Sequence, residues 1–271
     1  MKIIYTTDLH GNYSKYEGLI DVATEFSADI VINGGDMFPK NMDLHKQGAF
    51  IKNGLHKHFE RFELMGIHYL CCPGNDDLRI FDELFQEESS RFKYIHDIAQ
   101  KLVTINNIDF IGMNWVVDYP FRLKDRCRMD HKDYCFQLQY GTALLSVENG
   151  WTEIADWPQY AKQLATIKEE LDNLPKPRNE QVIYIIHMPP SKIGLDICRN
   201  GSTVGSDSVY DFLSREQPLF SLHGHIHESP EVSGKWKNEV GYTIVIQPGQ
   251  LKQFTFVLID TVTNAAERHT V

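Results

Sequence analysis

Short apolar runs alternate along the chain with longer stretches whose apolar residues recur at helical spacing, which predicts strands and helices in turn. Ile3-Ile4-Tyr5 and Asp29-Ile30-Val31-Ile32 read as strands, and between them Tyr16, Leu19, Ile20, Ala23 and Phe26 share one helical face. Phe50, Ile51, Leu55, Phe59 and Phe62 predict a second helix, which feeds a strand at Tyr69-Leu70-Cys71-Cys72. Residues 103–105 and 108–111 predict a hairpin across Asn106-Asn107. A further helix is predicted from Pro158, which suits a first turn, to Leu174, where Pro175-Lys176-Pro177 stops it. Strands follow at 182–186, 219–222, 242–246 and 254–259. This order is that of an α/β sandwich. No repeat, low-complexity tract or linker divides it, so one domain over 1–271 is expected.

The chemistry lies where the strands end. Five runs break into turns that carry Asp, Asn or His: Asp8-Leu9-His10, Gly34-Gly35-Asp36, Gly74-Asn75-Asp76, His187, and His223-Gly224-His225-Ile226-His227. Ligands collect at the carboxyl ends of strands in α/β sheets, so these turns are expected to converge. Singly, each is ordinary cap or turn chemistry. The ordered set is not. Hard oxygen donors (Asp8, Asp36, Asn75) mixed with imidazoles (His10, His187, His225, His227) suit Mn, Fe, Zn or Ni better than the all-oxygen ions Mg and Ca. Such a set exceeds the needs of one ion with an open position and suffices for two that share a carboxylate. His223 lies on the alternating face of His225 and His227, so it either lines the site or is satisfied inside the sheet.

Composition narrows the function classes. The 271 residues are 42% hydrophobic and 24% charged, an ordinary globular balance. The 27 basic and 37 acidic residues give a net charge of −10, which argues against a dedicated duplex or membrane-surface binder. The five cysteines form no C-x-x-C pair, and the apolar start Ile3-Ile4-Tyr5 is too short for a signal peptide. A reducing cytoplasmic setting without a membrane anchor is the expectation. The pattern weakens between about 112 and 150, where Arg122, Lys124, Arg126 and Arg128 sit among Trp115, Tyr119 and Phe121. These cations either face water or form a substrate loop that pairs phosphate and stacks a ring.

Taken together, the motifs resemble those of the calcineurin-like metallophosphoesterase superfamily: D-x-H, G-D, G-N-H-[D/E], a single H, and G-H-x-H. Here they read Asp8-Leu9-His10, Gly35-Asp36, Gly74-Asn75-Asp76-Asp77, His187 and Gly224-His225-Ile226-His227, in order, within about residues 3 to 250. Gln247-Pro248-Gly249 resembles the N-P-G segment near the end of that fold. The resemblance implies a four-layer α/β/β/α sandwich of two mixed sheets flanked by helices, with a dinuclear site at one edge. It implies Asp8, His10 and His227 on one metal, Asn75, His187 and His225 on the other, and Asp36 between them. The implied activity is hydrolysis of a small phosphodiester or phosphomonoester, in which a hydroxide bridging two divalent ions attacks phosphorus.

One position departs from that pattern. Asp76 replaces the histidine that in the family positions phosphate and protonates the leaving oxygen. Either Asp76 has a raised pKa or an imidazole partner such as His223 and keeps an acid role, or it does no chemistry. Repulsion between a carboxylate and a phosphoester favours the second. Relatives without that histidine resemble diesterases, so diester cleavage is preferred. Gly35-Asp36 continues as Met37-Phe38-Pro39-Lys40, unlike the G-D-x-V-D-R-G of the protein phosphatase branch. The alternatives are a nuclease, disfavoured by the acidic charge, and a silent interaction scaffold, disfavoured by the complete ligand set.

Overall fold

In a computed structural model, which describes residues 1–41 and 43–271, every predicted strand forms with its bounds shifted by a residue or two. The chain runs β1 (Lys2–Thr6), α1 (Tyr13–Glu25), β2 (Ile30–Asn33), α2 (Gln47–Phe50), α3 (His56–Met65), β3 (His68–Cys71), α4 (Asp82–Ser89), β4 (Ile95–Asp97), β5 (Leu102–Ile105) and β6 (Ile108–Met113). It continues through β7 (Val116–Val117), β8 (Cys127–Arg128), β9 (Ala143–Val147), β10 (Gly150–Ile154), α5 (Trp157–Ala161), α6 (Ile167–Asp172) and β11 (Gln181–Ile186). It closes with α7 (Asp207–Glu216), β12 (Phe220–Leu222), α8 (Ser229–Ser233), β13 (Lys237–Val240), β14 (Thr243–Ile246), β15 (Thr255–Asp260) and β16 (Ala265–Thr270).

Two six-stranded mixed sheets result, ordered β16-β15-β1-β2-β3-β4 and β13-β14-β12-β11-β6-β5. In each, four parallel strands are flanked by antiparallel neighbours: β1 to β4 beside β15 and β16, and β6, β11, β12 and β14 between β5 and β13. Side-chain alternation divides the apolar residues between layers. Ile3, Tyr5, Ile30 and Ile32 join Ile183, Ile185, Phe220 and Leu222 in the core between the sheets. Ile4, Val31 and Tyr69 point the other way, onto Leu19, Phe59 and Phe85 of the helices. Tyr184 and Ile186 likewise pack on Leu171, Val209 and Leu213. The four-layer sandwich is therefore the observed architecture. Among the described residues, no helix is long and apolar enough to cross a membrane.

The expected helix at 158–174 is two short ones. The Thr166 side chain accepts from Glu169 N while Glu169 reaches back to the Thr166 amide, so α6 starts afresh with its first donors satisfied. The cations of 112–150 also need correction. Lys124, Arg126 and Arg128 are buried, and Arg122 is exposed. Lys124 pairs with Asp118 at 2.7 Å, Arg126 donates to the Gly74 carbonyl at 2.8 Å and pairs with Asp82, and Arg128 lies 3.8 Å over the Trp115 ring. Their charge is spent inside the fold.

Candidate metal centre

The parallel strands of both sheets end on one side. The residues just beyond β1 (Asp8, His10), β2 (Asp36), β3 (Asn75), β11 (His187) and β12 (His225, His227) meet there. Asp8, His10, Asp36 and His225 all adopt left-handed backbone, with φ of 57°, 46°, 52° and 69°. Non-glycine residues rarely do so, and such strain concentrates at functional sites. The turns brace one another: Asp8 N donates to the Gly35 carbonyl and His10 N to the Asp36 carbonyl, each at 2.9 Å. Asp76 N donates to Asp36 Oδ1 at 2.8 Å.

Two glycines are required by close approach. A Cβ on Gly74 would lie 2.2 Å from both the amide and Oδ1 of Asp36. One on Gly224 would lie 2.6 Å from Asp8 Oδ2. The glycines of the G-N and G-H motifs thus make room for the carboxylates.

The ligand atoms fall into two groups. In the first, His227 Nε2 lies 3.1 Å from both Asp8 Oδ1 and His10 Nε2, and one atom each of Asp8, His10, Asp36 and His227 lies within 4.8 Å of all the others. In the second, Asn75 Oδ1 lies 3.0 Å from His187 Nε2 and 2.6 Å from His225 Nδ1. Asp36 Oδ2 stands between them, 3.8 Å from His10 Nε2 and 3.6 Å from His187 Nε2. His187 is oriented by its other nitrogen, 2.9 Å from the Gly34 carbonyl.

The electrostatics suit cations. Burial raises the Asp8 and Asp36 carboxyls, but the imidazoles beside them, His227 and His187 foremost, more than offset this and hold both low. Burial depresses His187, yet Asp36 and Asp8 bring it up to about 9. Burial holds His10 and His225 neutral, each down to about 3. Ionised carboxylates, the neutral imidazoles of His10 and His225 and an amide oxygen crowd here beside His187 and His227, whose pKa values the same carboxylates raise. That donor set fits divalent transition ions. The other Asp/His grouping, Asp130, His131 and Asp207, does not: Asp130 accepts from Ser206 Oγ and the amides of Asp207 and Ser208, capping α7.

His223 is not brought into this group. It is fully buried, with Nδ1 2.8 Å from the Ile186 carbonyl and Nε2 2.8 Å from Ser221 Oγ. Asp76 does reach the centre. Its partner, however, is Lys40, whose Nζ lies 3.3 Å from Asp76 Oδ2 and 2.8 Å from His10 Nε2. Burial, then the Asp36 charge, raise the Asp76 carboxyl to about 6. Lys40 is the functional candidate that motif reading missed, and its only sequence signal is its place four residues after Asp36. Asp77, which closes the third motif, braces the turns. It accepts from the amides of Met37, Phe38 and Gly74 and so ties the second turn to the third.

Residues 1–229 match the family model described as calcineurin-like phosphoesterase. No curated protein sequence matches the chain. Among solved structures, TT1561 of Thermus thermophilus is similar at TM-score 0.62 and 15% identity, over 99% of this chain and 98% of that one. A dimetal phosphatase from Danio rerio is similar at 0.52 and 9%, over 100% and 98%. GAP50, described as the anchor in the inner membrane complex of Plasmodium, is similar at 0.55 and 11%, over 100% and 84%. At these identities the likeness is one of fold.

Proposed function

Because the chain belongs to the calcineurin-like phosphoesterase family, we propose that it is a metal-dependent hydrolase of small phosphoesters, with diesters preferred over monoesters. One observation carries this reading: seven donor residues from five strand ends converge in two groups that share Asp36. In it, Asp8, His10 and His227 hold one divalent ion, Asn75, His187 and His225 hold a second, and Asp36 contacts both. Bound there, two such ions supply an activated water and neutralise charge that builds on the phosphoryl oxygens.

The chain's own residues do the rest. The Lys40 ammonium, one-third exposed, lies at the centre between Asp76 and His10, where it would contact a phosphoryl oxygen. Asp76 holds Lys40 in place. The cation missing at the family's histidine position is thus supplied from the turn after β2. With Lys40 as partner, the Asp76 carboxylate is not a bare negative charge facing the substrate.

The test is metal content and hydrolysis together. Protein purified and assayed with Mn²⁺, Ni²⁺, Zn²⁺ or Mg²⁺ is expected to hold two transition ions per chain and to cleave aryl phosphodiesters faster than monoesters. A chain that takes up no ion and cleaves neither class overturns the reading and favours an interaction scaffold of this fold.

A further inference from the structure

Gln47 is the first residue of α2, and its side chain is fully buried. It spends both hydrogens of its amide on two different turns of the centre. Nε2 donates to the Pro39 carbonyl at 3.1 Å and to the Asp76 carbonyl at 2.9 Å. Oε1 accepts from Leu78 N at 2.9 Å.

What matters is where those carbonyls sit in the chain. The Pro39 carbonyl belongs to the peptide unit that leads into Lys40, and a peptide unit is planar and moves as one piece. The Asp76 carbonyl belongs to the residue whose carboxylate pairs with the Lys40 ammonium. A single side-chain nitrogen therefore fixes the roots of Lys40 and Asp76 to each other, and the two side chains meet again at their tips, 3.3 Å apart. Asp77 ties the same two turns nearer Asp36, through the amides of Met37, Phe38 and Gly74. Gln47 takes the end that carries Lys40. A lysine ammonium rides on a flexible stem, so where it aims depends on how its backbone is anchored.

From this clamp we infer that Gln47 is a positioning residue for phosphate binding: it sets the Lys40–Asp76 pair beside the metal centre and acts on substrate through Lys40. The inference rests on the phosphoesterase reading and on the Lys40 contact within it. A side chain that merely supported the fold, or the turn of Asn75, would act whether or not Lys40 were present. That difference can be measured.

The test is a double-mutant cycle between Gln47→Met and Lys40→Met. It is read on the Mn²⁺-loaded protein as kcat/KM for an aryl phosphodiester and as calorimetric affinity for inorganic phosphate. Methionine keeps the length of the glutamine side chain and removes its hydrogen bonds. With Lys40 present, Gln47→Met is expected to lower both quantities about tenfold, and with Lys40→Met less than about twofold, because residues that act through one contact are not additive. Metal content is expected to stay at two ions per chain. A loss by the same factor in both backgrounds overturns the inference, as does a loss of either ion or no loss at all with Lys40 present. If Gln47→Met fails to fold by circular dichroism, Gln47→Glu runs the same cycle, since it keeps the acceptor for Leu78 N and drops both donors. If Lys40→Met alone costs nothing, the Lys40 contact and this inference fall together, while hydrolysis by the parent leaves the phosphoesterase reading standing. A parent that binds no phosphate and cleaves no phosphoester overturns that reading itself.

Discussion

Asp36 Oδ2 faces His10 on one side and His187 on the other, so its loss acts on both donor groups at once. An amide in its place keeps the shape and removes the charge. Asp36→Asn is expected to lose both ions together and to abolish hydrolysis; two ions per chain by elemental analysis of that variant would sink the shared role. Lys40→Met tests the proposed phosphate contact. Removing a charged donor from such a site costs roughly 10²-fold, and Lys40→Arg should recover part of it in kcat/KM. Asp76→Asn should cost tenfold or less, evenly across leaving groups, because it only loosens Lys40. A loss of a hundredfold or more confined to poor leaving groups would instead make Asp76 the proton donor.

At the scale of elements, the site depends on how tightly the strand ends pack. Gly224→Ala would press a methyl onto Thr7 Oγ1 and Asp8 Oδ2, and both neighbours are buried and fixed. Displacing a reacting-site carboxylate by about an ångström costs roughly 10²-fold, so kcat/KM of Gly224→Ala should fall by that order with the fold retained by circular dichroism. Normal activity would show that the turn yields. The helices face a different test. His58 on α3 is buried against Tyr16, Phe62 and Tyr69, at ring distances of 4.7, 4.9 and 5.2 Å. Burial, with a lesser push from Arg61, holds its pKa down to about 3. The folded value is below the unfolded one, so this stabilisation is complete above about pH 6.5 and is lost as pH falls toward 3. Between pH 6.5 and 5, wild type should lose about 1.5 kcal/mol more than His58→Phe in denaturant titrations. Equal losses would mean that the ring is charged in the folded state.

Across the whole molecule, the centre draws on both sheets. Asp8, His10, Asp36 and Asn75 follow strands of the first, and His187, His225 and His227 follow strands of the second. Tyr5 Oη adds a direct tie, donating to the His223 carbonyl at 2.7 Å. Ions held by donors from both layers bind the folded chain and not the unfolded one, so saturating Mn²⁺ should raise Tm by roughly 5–15 °C over a chelator-treated sample. Asp36→Asn should show no such rise. A wild-type Tm that ignores the metal, or a variant that keeps the shift, would contradict a centre spanning the two sheets.

The order of strands and the donors that end them were legible in the sequence. Both are local properties: a period of two or 3.6 records which face is buried, and a polar residue after an apolar run marks a strand end. What the sequence left open depended on long-range neighbours. Asp76 could be weighed against His223, but only the fold shows Lys40 arriving from the turn after β2 to pair with it. The cations at 124, 126 and 128 read as solvent-facing or phosphate-pairing because charge seldom stays buried, and their partners Asp118, Asp82 and Glu170 lie elsewhere in the chain or across a turn. His223 shares the strand's alternation with His225 in sequence, but the left-handed backbone at His225 breaks it. The chain turns there, leaving His223 on the face of Ser221 inside the fold while His225 and His227 face the centre. A backbone state of that kind is imposed by tertiary packing, because even histidine, which tolerates it better than most residues, rarely adopts it locally.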